Sequence, residues 1–123
     1  FPYDAKGLLN TAINDPNPVM FFEHKQLYRS MYQDVPKDYY TIPFGKAALL
    51  NEGTDVTIIS FGAGVHWALE TLTQHPEIKA DVIDLRTLQP LDIETIYYDK
   101  DKGMRIIDAV KTAFFMLRLK FFE

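Results

Sequence analysis

The stretch VTIISFGAG, residues 56–64, decides the fold class of this 123-residue chain. Its first six residues form a β-branched and apolar run that is typical of a strand buried on both faces. A turn containing two glycines follows, and apolar residues then recur at helical spacing up to Pro76, at Val65, Ala68, Leu69 and Leu72. The stretch therefore predicts a strand, a turn and a helix in direct succession, which is the repeating unit of an α/β protein.

The same alternation continues downstream. Asp81 to Leu85 has the pattern of a second buried strand, Asp92 to Tyr98 favours a helix that begins just after Pro90, and Arg105 to Ile107 favours a third short strand. The resulting order β-α-β-α-β predicts a mainly parallel sheet with right-handed crossovers.

Upstream, an amphipathic helix is indicated by apolar residues at helical spacing, namely Ala5, Leu8, Leu9, Ala12 and Ile13. We expect Asp4 to be its N-cap and the sequence DPNP, residues 15–18, to end it. Val19 to Phe22 predicts a short buried strand. Residues 23–45 have no sustained periodicity and indicate a long connecting segment.

Composition excludes several classes of protein. A hydrophobic content of 47% argues against disorder, and 13 basic against 17 acidic residues, without a basic block, disfavour nucleic-acid binding. The absence of cysteine excludes a disulfide framework, a zinc–thiolate site and a cysteine nucleophile. The apolar runs are far shorter than the roughly 18 residues that a membrane-spanning helix needs, so no membrane segment is expected.

Gly62 and Gly64 place backbone N–H groups at a helix N-terminus, where anions bind well. A dinucleotide motif would need a third glycine at position 67, which is Trp67 here, so a tight turn without a ligand is the favoured interpretation.

The three histidines are also candidate functional residues, and each has a simpler structural interpretation. His66, in the first turn of the same helix, is a candidate neutral ligand or proton relay, but a packed or solvated histidine is favoured because no matching metal-ligand spacing exists. His24 lies on a loop where sites gather, and a surface position is favoured. His75 precedes a proline at a helix end, where we expect it to cap the helix and to have no further role.

Asp15 and Asn17 flank Pro16 where the first helix should end. Helix-terminal carbonyls together with an Asp and an Asn oxygen would form a cage for a hard cation. An Asx turn is the simpler interpretation of the same residues. From the residues alone, the chain is an α/β piece without a complete active site.

Several motifs between residues 4 and 96 together carry a family resemblance. They are DAKGLL (4–9), AI (12–13) with Asp15, NPV (17–19), FFEHK (21–25), LYR (27–29), VP (35–36), YTIP (40–43), GKA (45–47), EGTDVT (52–57), VIDLRTL (82–88), PLD (90–92) and ETI (94–96). The chain resembles the β subunit of the E1 component of thiamine diphosphate-dependent 2-oxo acid dehydrogenases. The stretch around LYR looks most like the branched-chain (2-oxoisovalerate) members, and some bacterial relatives fuse the α and β parts into one chain.

The resemblance implies a domain organisation. Residues 1–35 would be the end of a pyrimidine-binding domain, residues 36–52 an interdomain crossing, and residues 53–123 a partial transketolase C-terminal-like domain. The tail from about residue 111 does not match the family, which suggests a truncated or altered end. The implied fold class is α/β, with a mainly parallel sheet in the second domain.

The resemblance also implies which site residues the chain has. The family's catalytic and cofactor-binding residues precede the matched region or belong to the α part, so none maps onto this chain. One metal site does map, because Ala12, Ile13, Asp15 and Asn17 match a potassium-binding motif of the family. Thiamine diphosphate and magnesium would bind elsewhere in the parent enzyme.

The implied parent decarboxylates a 2-oxo acid oxidatively and passes the acyl group to a lipoyl carrier. Its partners would be an E1 α part, a second E1 β and the lipoyl-carrying E2 component, in the cytoplasm of a bacterium or the mitochondrial matrix of a eukaryote. We expect this chain alone to be inactive. The alternatives are a fragment of a transketolase or deoxyxylulose-phosphate synthase, and a non-catalytic interaction module that docks through its apolar tail.

Overall fold

The computed structural model describes residues 1–98, the side chain of Tyr98 excepted. It contains four helices and three strands in the order α1 (Pro2–Asn14), α2 (Leu27–Ser30), β1 (Ala48–Asn51), β2 (Val56–Ser60), α3 (Ala63–Gln74), β3 (Ala80–Asp84) and α4 (Ile93–Tyr98). The predicted strand at 105–107 and the apolar tail from 111 lie outside the described residues.

The strands form one sheet in the order β1-β3-β2. β2 and β3 are parallel, from Val56 opposite Ala80 to Ser60 opposite Asp84, and all five residues of β3 are buried. The parallel pair and the helix α3 between its strands confirm the unit predicted from residues 56–64. β1 is antiparallel to β3 and was not predicted, and it lies within the segment 36–52 that we expected to be a crossing.

The core lies on both faces of this sheet, because side chains alternate along each strand. On one face, Ile59 and Ile83 pack with Ile96 of α4. On the other face, Val82 packs with Val65 and Ala68 of α3. Helices on both faces of a sheet give the three-layer α/β architecture. Each such buried aliphatic side chain contributes roughly 1.5–3 kcal/mol.

Residues 33–42 form hydrogen bonds with helix α1 along its length. The Asn10 side chain donates to the carbonyl of Tyr40 at 2.8 Å, and Thr11 Oγ1 donates to the carbonyl of Ile42 at 2.6 Å. A Cβ added at Gly7 would lie 2.6 Å from Ile42 Cγ1. Glycine at this position therefore allows the segment to approach the helix closely.

Two features of the predicted α1 are wrong. Its N-cap is Phe1, and Asp4 is instead a buried residue of the first turn. The buried face comprises Asp4, Gly7 and Leu8, whereas Ile13 of the predicted apolar stripe is 72% exposed. The helix buries this face, and not the predicted stripe, because the close approach at Gly7 and a charged contact of Asp4 both lie on it. The end of the helix at Asn14 confirms the stop predicted from DPNP.

The strand predicted for Val19 to Phe22 is also wrong. These residues have no regular structure, and the side chains of Met20 and Phe22 are 79% and 74% exposed. A strand needs a neighbour that accepts and donates its backbone hydrogen bonds, and no described strand pairs with this segment. The prolines at 16 and 18 place the segment in a turn-rich stretch. Among residues 1–98, the structure contains no helix that is long and apolar enough to cross a membrane.

Candidate functional site at the carboxyl end of the parallel strands

Several charged and titratable side chains of the described region lie where β2 and β3 end. In open α/β sheets this edge is where ligands usually bind. Ser60 and Asp84 end the two strands side by side, and the chain after Ser60 turns at Gly62, with φ +55°, into α3. A Cβ at Gly64 would collide with the Ser60 hydroxyl. The two glycines therefore form the tight strand-to-helix turn that the sequence predicted.

Four charged or titratable side chains meet at this edge, and we call them the carboxyl-edge cluster: Asp4, His66, Asp84 and Arg86. Arg86 Nη2 lies 2.7 Å from Asp4 Oδ1, which joins α1 to the loop after β3. Neither Asp4 Oδ1 nor Arg86 Nε makes a hydrogen bond of good geometry, although both atoms are buried. The contact is therefore an ion pair without an aligned hydrogen bond.

The backbone of Arg86 is part of the same arrangement. Its N–H donates to Asp84 Oδ1 at 3.0 Å, and its φ of +55° is a conformation that non-glycine residues rarely adopt. The Leu85 N–H donates to the Ser60 carbonyl at 2.9 Å, which continues the strand pairing up to this turn. The cluster is thus anchored to the sheet by backbone and side-chain bonds together.

Burial controls the protonation of two members. It lowers the pKa of His66, and the positive charge of the Phe1 amino group acts in the same direction, while the Asp84 carboxylate opposes both. The Phe1 ring lies edge-on to the imidazole, with 4.6 Å between ring centroids. At neutral pH His66 is therefore a neutral, packed histidine, as the favoured interpretation of the sequence expected.

Burial raises the pKa of Asp84, against the Arg86 N–H bond that lowers it. A raised folded-state pKa adds stability that is complete below the ordinary aspartate range and is lost as the pH rises through the folded value. We therefore expect Asp84→Asn to raise the melting temperature at pH 7, since an amide oxygen still accepts from Arg86.

The advantage of this variant should shrink as the pH is lowered toward about 4. Thermal melts at several pH values measure it, and Asp34→Asn, at an exposed aspartate, is the matched control. A variant that is less stable than the parent at pH 7 would contradict the assignment.

The structure also locates the other sequence candidates. Asp15 Oδ1 accepts from the Asn17 backbone at 2.9 Å and from its side-chain amide at 3.0 Å, so these residues form an Asx turn. His24 is exposed beside α2, and His75 is the C-cap of α3, with its Nδ1 3.1 Å from Glu77. Within residues 1–98, no three His, Asp or Glu side chains converge as a metal-binding group.

The prolines of the DPNP turn remove two backbone N–H groups that could otherwise donate to helix-end oxygens. The Ile13 carbonyl would normally accept from residues 16 or 17, but Pro16 has no N–H and the Asn17 N–H is used by Asp15. The Asn14 carbonyl would accept from residue 18, which is also a proline. Of the predicted potassium ligands, the Ile13 carbonyl, Asp15 Oδ2 and Asn17 Oδ1 are thus not engaged by these bonds, whereas the Ala12 carbonyl accepts from Asp15 at 3.3 Å.

Comparison with known proteins gives the relationship. The family model of the transketolase C-terminal domain matches residues 45–109, more than half of the chain. The β subunit of the pyruvate dehydrogenase E1 component from Bacillus subtilis (strain 168) is 52% identical over 108 residues, covering 86% of this chain and 33% of that protein. The 2-oxoisovalerate dehydrogenase β subunit of the same strain is 46% identical, with the same coverage.

A third relative of that strain, the β subunit of acetoin:2,6-dichlorophenolindophenol oxidoreductase, is 51% identical over 108 residues, covering 86% of this chain and 31% of the relative. The chain therefore spans about a third of the length of these curated relatives. Their identities confirm the resemblance to E1 β subunits that the motifs carried. Because the family model matches more than half of the chain, including all three described strands and both of the helices packed on them, the chain belongs to the transketolase C-terminal domain family.

Proposed function

We propose that this chain is part of the β subunit of a thiamine diphosphate-dependent E1 enzyme, which oxidatively decarboxylates a 2-oxo acid and transfers the acyl group to a lipoyl carrier. The observation that carries the proposal is the 52% and 46% identity, over 108 residues each, to the β subunits of two 2-oxo acid dehydrogenases. The proposed partners are an E1 α part, a second β subunit and E2. We place the enzyme in the cytoplasm of a bacterium, because the relatives described above come from Bacillus.

Within that enzyme, we assign this chain to scaffold and interface. Thiamine diphosphate supplies the nucleophilic carbon of the reaction when it is bound, and magnesium holds its diphosphate. The residues described here do not fit that group, because the Arg86 guanidinium is held by Asp4 and His66 is packed under Phe1. The chain's own contribution is to position α1 and the sheet.

The experiment begins with the encoding gene, read through both flanks. The proposal expects an upstream frame that encodes the rest of a cofactor-binding domain and a downstream frame that resumes the family pattern. Start and stop codons that bracket these 123 residues would contradict it.

The complete gene product, purified with its α partner, is then assayed with 2-oxoisovalerate, pyruvate and acetoin. The residues FEHKQLYR, 22–29, favour 2-oxoisovalerate, and a preference for either other substrate would assign the enzyme to that relative's type. The 123-residue chain alone should consume 2-oxoisovalerate no faster than the cofactor alone does.

We further propose that the C-terminal end of α1 binds a potassium ion, with Ala12, Ile13, Asp15 and Asn17 around it. The free helix-end oxygens left by Pro16 and Pro18 support this proposal. Carbonyl, carboxylate and amide oxygens are the donors that hard cations prefer.

Potassium chloride should raise the melting temperature of the chain above that in choline chloride at equal ionic strength, since an ion that binds only the folded state stabilises it. Asp15→Ala should abolish the difference, whereas Asp34→Ala, at an exposed aspartate, should retain it. Equal melting temperatures in both salts would contradict the site.

A further inference from the structure

Helix α1 is attached to the sheet by few direct contacts. Most of its side-chain hydrogen bonds go to residues 33–42; Lys6, for example, donates to the carbonyls of Pro36 and Asp38. Its direct links to the sheet region are at its first turn, where Phe1 packs against the core of α3 and Asp4 meets Arg86. Helix α1 and the segment 33–42 therefore form one unit, which continues into β1 through residues 43–47 and has side-chain contacts with the sheet region at the start of α1.

The Asp4–Arg86 pair is largely shielded from solvent, although it lacks an aligned hydrogen bond. The two side chains are only 10% and 21% exposed, so water and salt screen the pair less than they screen a surface ion pair. The strained φ of +55° at Arg86 points to the same conclusion, because such a conformation persists only where its surroundings hold it. The bond from Arg86 N–H to Asp84 fixes the backbone, and Asp4 fixes the guanidinium.

The length of α1 amplifies any change of angle at this ion pair. A helix of 13 residues is roughly 20 Å long at 1.5 Å per residue. A small change of angle at Asp4 therefore moves the other end, near Ile13, by several ångströms, whereas residues close to Asp4 hardly move.

We propose that the Asp4–Arg86 pair is a latch that sets the angle between helix α1 and the β1-β3-β2 sheet. The sheet does not depend on this pair for its own core, because Ile59, Ile83 and Val82 pack against α3 and α4. Breaking the pair releases α1 together with residues 33–42 and leaves the sheet folded. The proposal concerns the chain itself and does not rest on the enzyme activity proposed above.

The absence of cysteine allows a direct test. Spin labels are attached to Ile13→Cys, a 72% exposed position at the far end of α1, and to Thr73→Cys, an exposed position on α3. Pulsed electron paramagnetic resonance then measures the distance between the labels. The parent sequence should give one narrow distance, and Arg86→Met or Asp4→Asn should lose it in favour of a broad distribution.

The double variant with both changes should be no broader than the single variants, because either change alone opens the latch. Lys46→Met is the matched control, since it removes an ion pair with Glu94 that is 3.6 Å long and largely exposed. It should leave the narrow distance unchanged.

Circular dichroism separates the outcomes. A native spectrum with the narrow distance retained in both single variants would overturn the proposal. Loss of the native spectrum in both would overturn it as well, because the pair would then be required for folding of the sheet. A native spectrum with a broad distance in either variant supports the latch.

Discussion

Replacing Gly53 by alanine should destabilise the chain by about 3 kcal/mol, at the upper end of the cost of overpacking. The added Cβ would overlap the backbone of Lys79 and Ala80 at the start of β3, well inside the 3.0 Å that real Cβ atoms respect. Backbone atoms in a sheet move less easily than the end of a side chain. The loop that contains Gly53 cannot easily move away from these atoms.

Three backbone bonds hold the loop in place. The N–H groups of Thr54 and Asp55 both donate to the Lys79 carbonyl, at 3.0 and 2.7 Å. The Gly53 N–H donates to Oδ1 of buried Asp81 at 2.7 Å. Relief of the clash would therefore break bonds to the Lys79 carbonyl and to the buried Asp81 carboxylate, and the loss of the bond to Asp81 carries a desolvation cost.

Gly62→Ala is the matched control. Nothing lies within 4 Å of a Cβ at Gly62, so its cost arises only from the backbone conformation, φ +55° and ψ −131°, about 1–3 kcal/mol. Urea denaturation followed by circular dichroism compares both variants with the parent. A loss below about 1 kcal/mol for Gly53→Ala, less than the usual cost of overpacking, would refute the assignment of crowding to Gly53.

The elements that were predicted correctly have strong local signals. Residues 56–59 are a continuous β-branched run, and the helix after Gly62 has apolar residues at 3.6-residue spacing, so pattern alone identifies β2 and α3. In contrast, β1 has only four residues and no alternation of apolar and polar side chains. Its existence depends on pairing with β3, which a local pattern does not encode.

The opposite error occurred at Val19 to Phe22. An apolar run predicts burial, but burial requires a neighbour, and the described residues provide none for Met20 and Phe22. Tertiary context overrides local propensity in both cases.

The candidate site was predicted only in part. The strand-to-helix turn, the packed His66 and the Asx turn at Asp15 followed from local rules. The Asp4–Arg86 pair did not, because the two residues are far apart in the chain and Asp4 before an apolar helix matches a capping pattern. The acid near the start of the helix was a real signal, but it predicted an N-cap and not a contact with the guanidinium of Arg86.

Substitution of Asp92 should also reduce stability strongly, because its carboxylate joins helix α4 to the residue before β1. Its Oδ1 accepts from the Thr95 backbone at 3.1 Å, as the N-terminal cap of α4, and its Oδ2 accepts from Thr95 Oγ1 at 2.7 Å. Oδ2 also accepts from the Ala47 N–H at 2.9 Å, next to the start of β1. Asp92→Ala should cost about 3 kcal/mol, as the sum of a lost cap and an unsatisfied backbone donor.

The pH dependence distinguishes this carboxylate from Asp84. Burial alone would raise the pKa of Asp92, but the bonds from Thr95 and Ala47 outweigh it and lower the pKa. A lowered folded-state pKa adds stability that is present above the ordinary aspartate value of about 3.9 and is lost as the pH falls through the folded value. Asp92→Asn should therefore be less stable than the parent at pH 7, and this deficit should shrink below about pH 4.

Urea denaturation at pH 7 and at stepwise lower pH measures both Asp92 variants. Glu94→Gln, at a 90% exposed side chain on the same helix, is the control and should change stability by less than about 0.5 kcal/mol. If the Asp92→Asn deficit were as large at pH 3 as at pH 7, the charge would not be the source of the stabilisation. The loss would then arise from the amide itself, which offers one acceptor oxygen where Asp92 uses two.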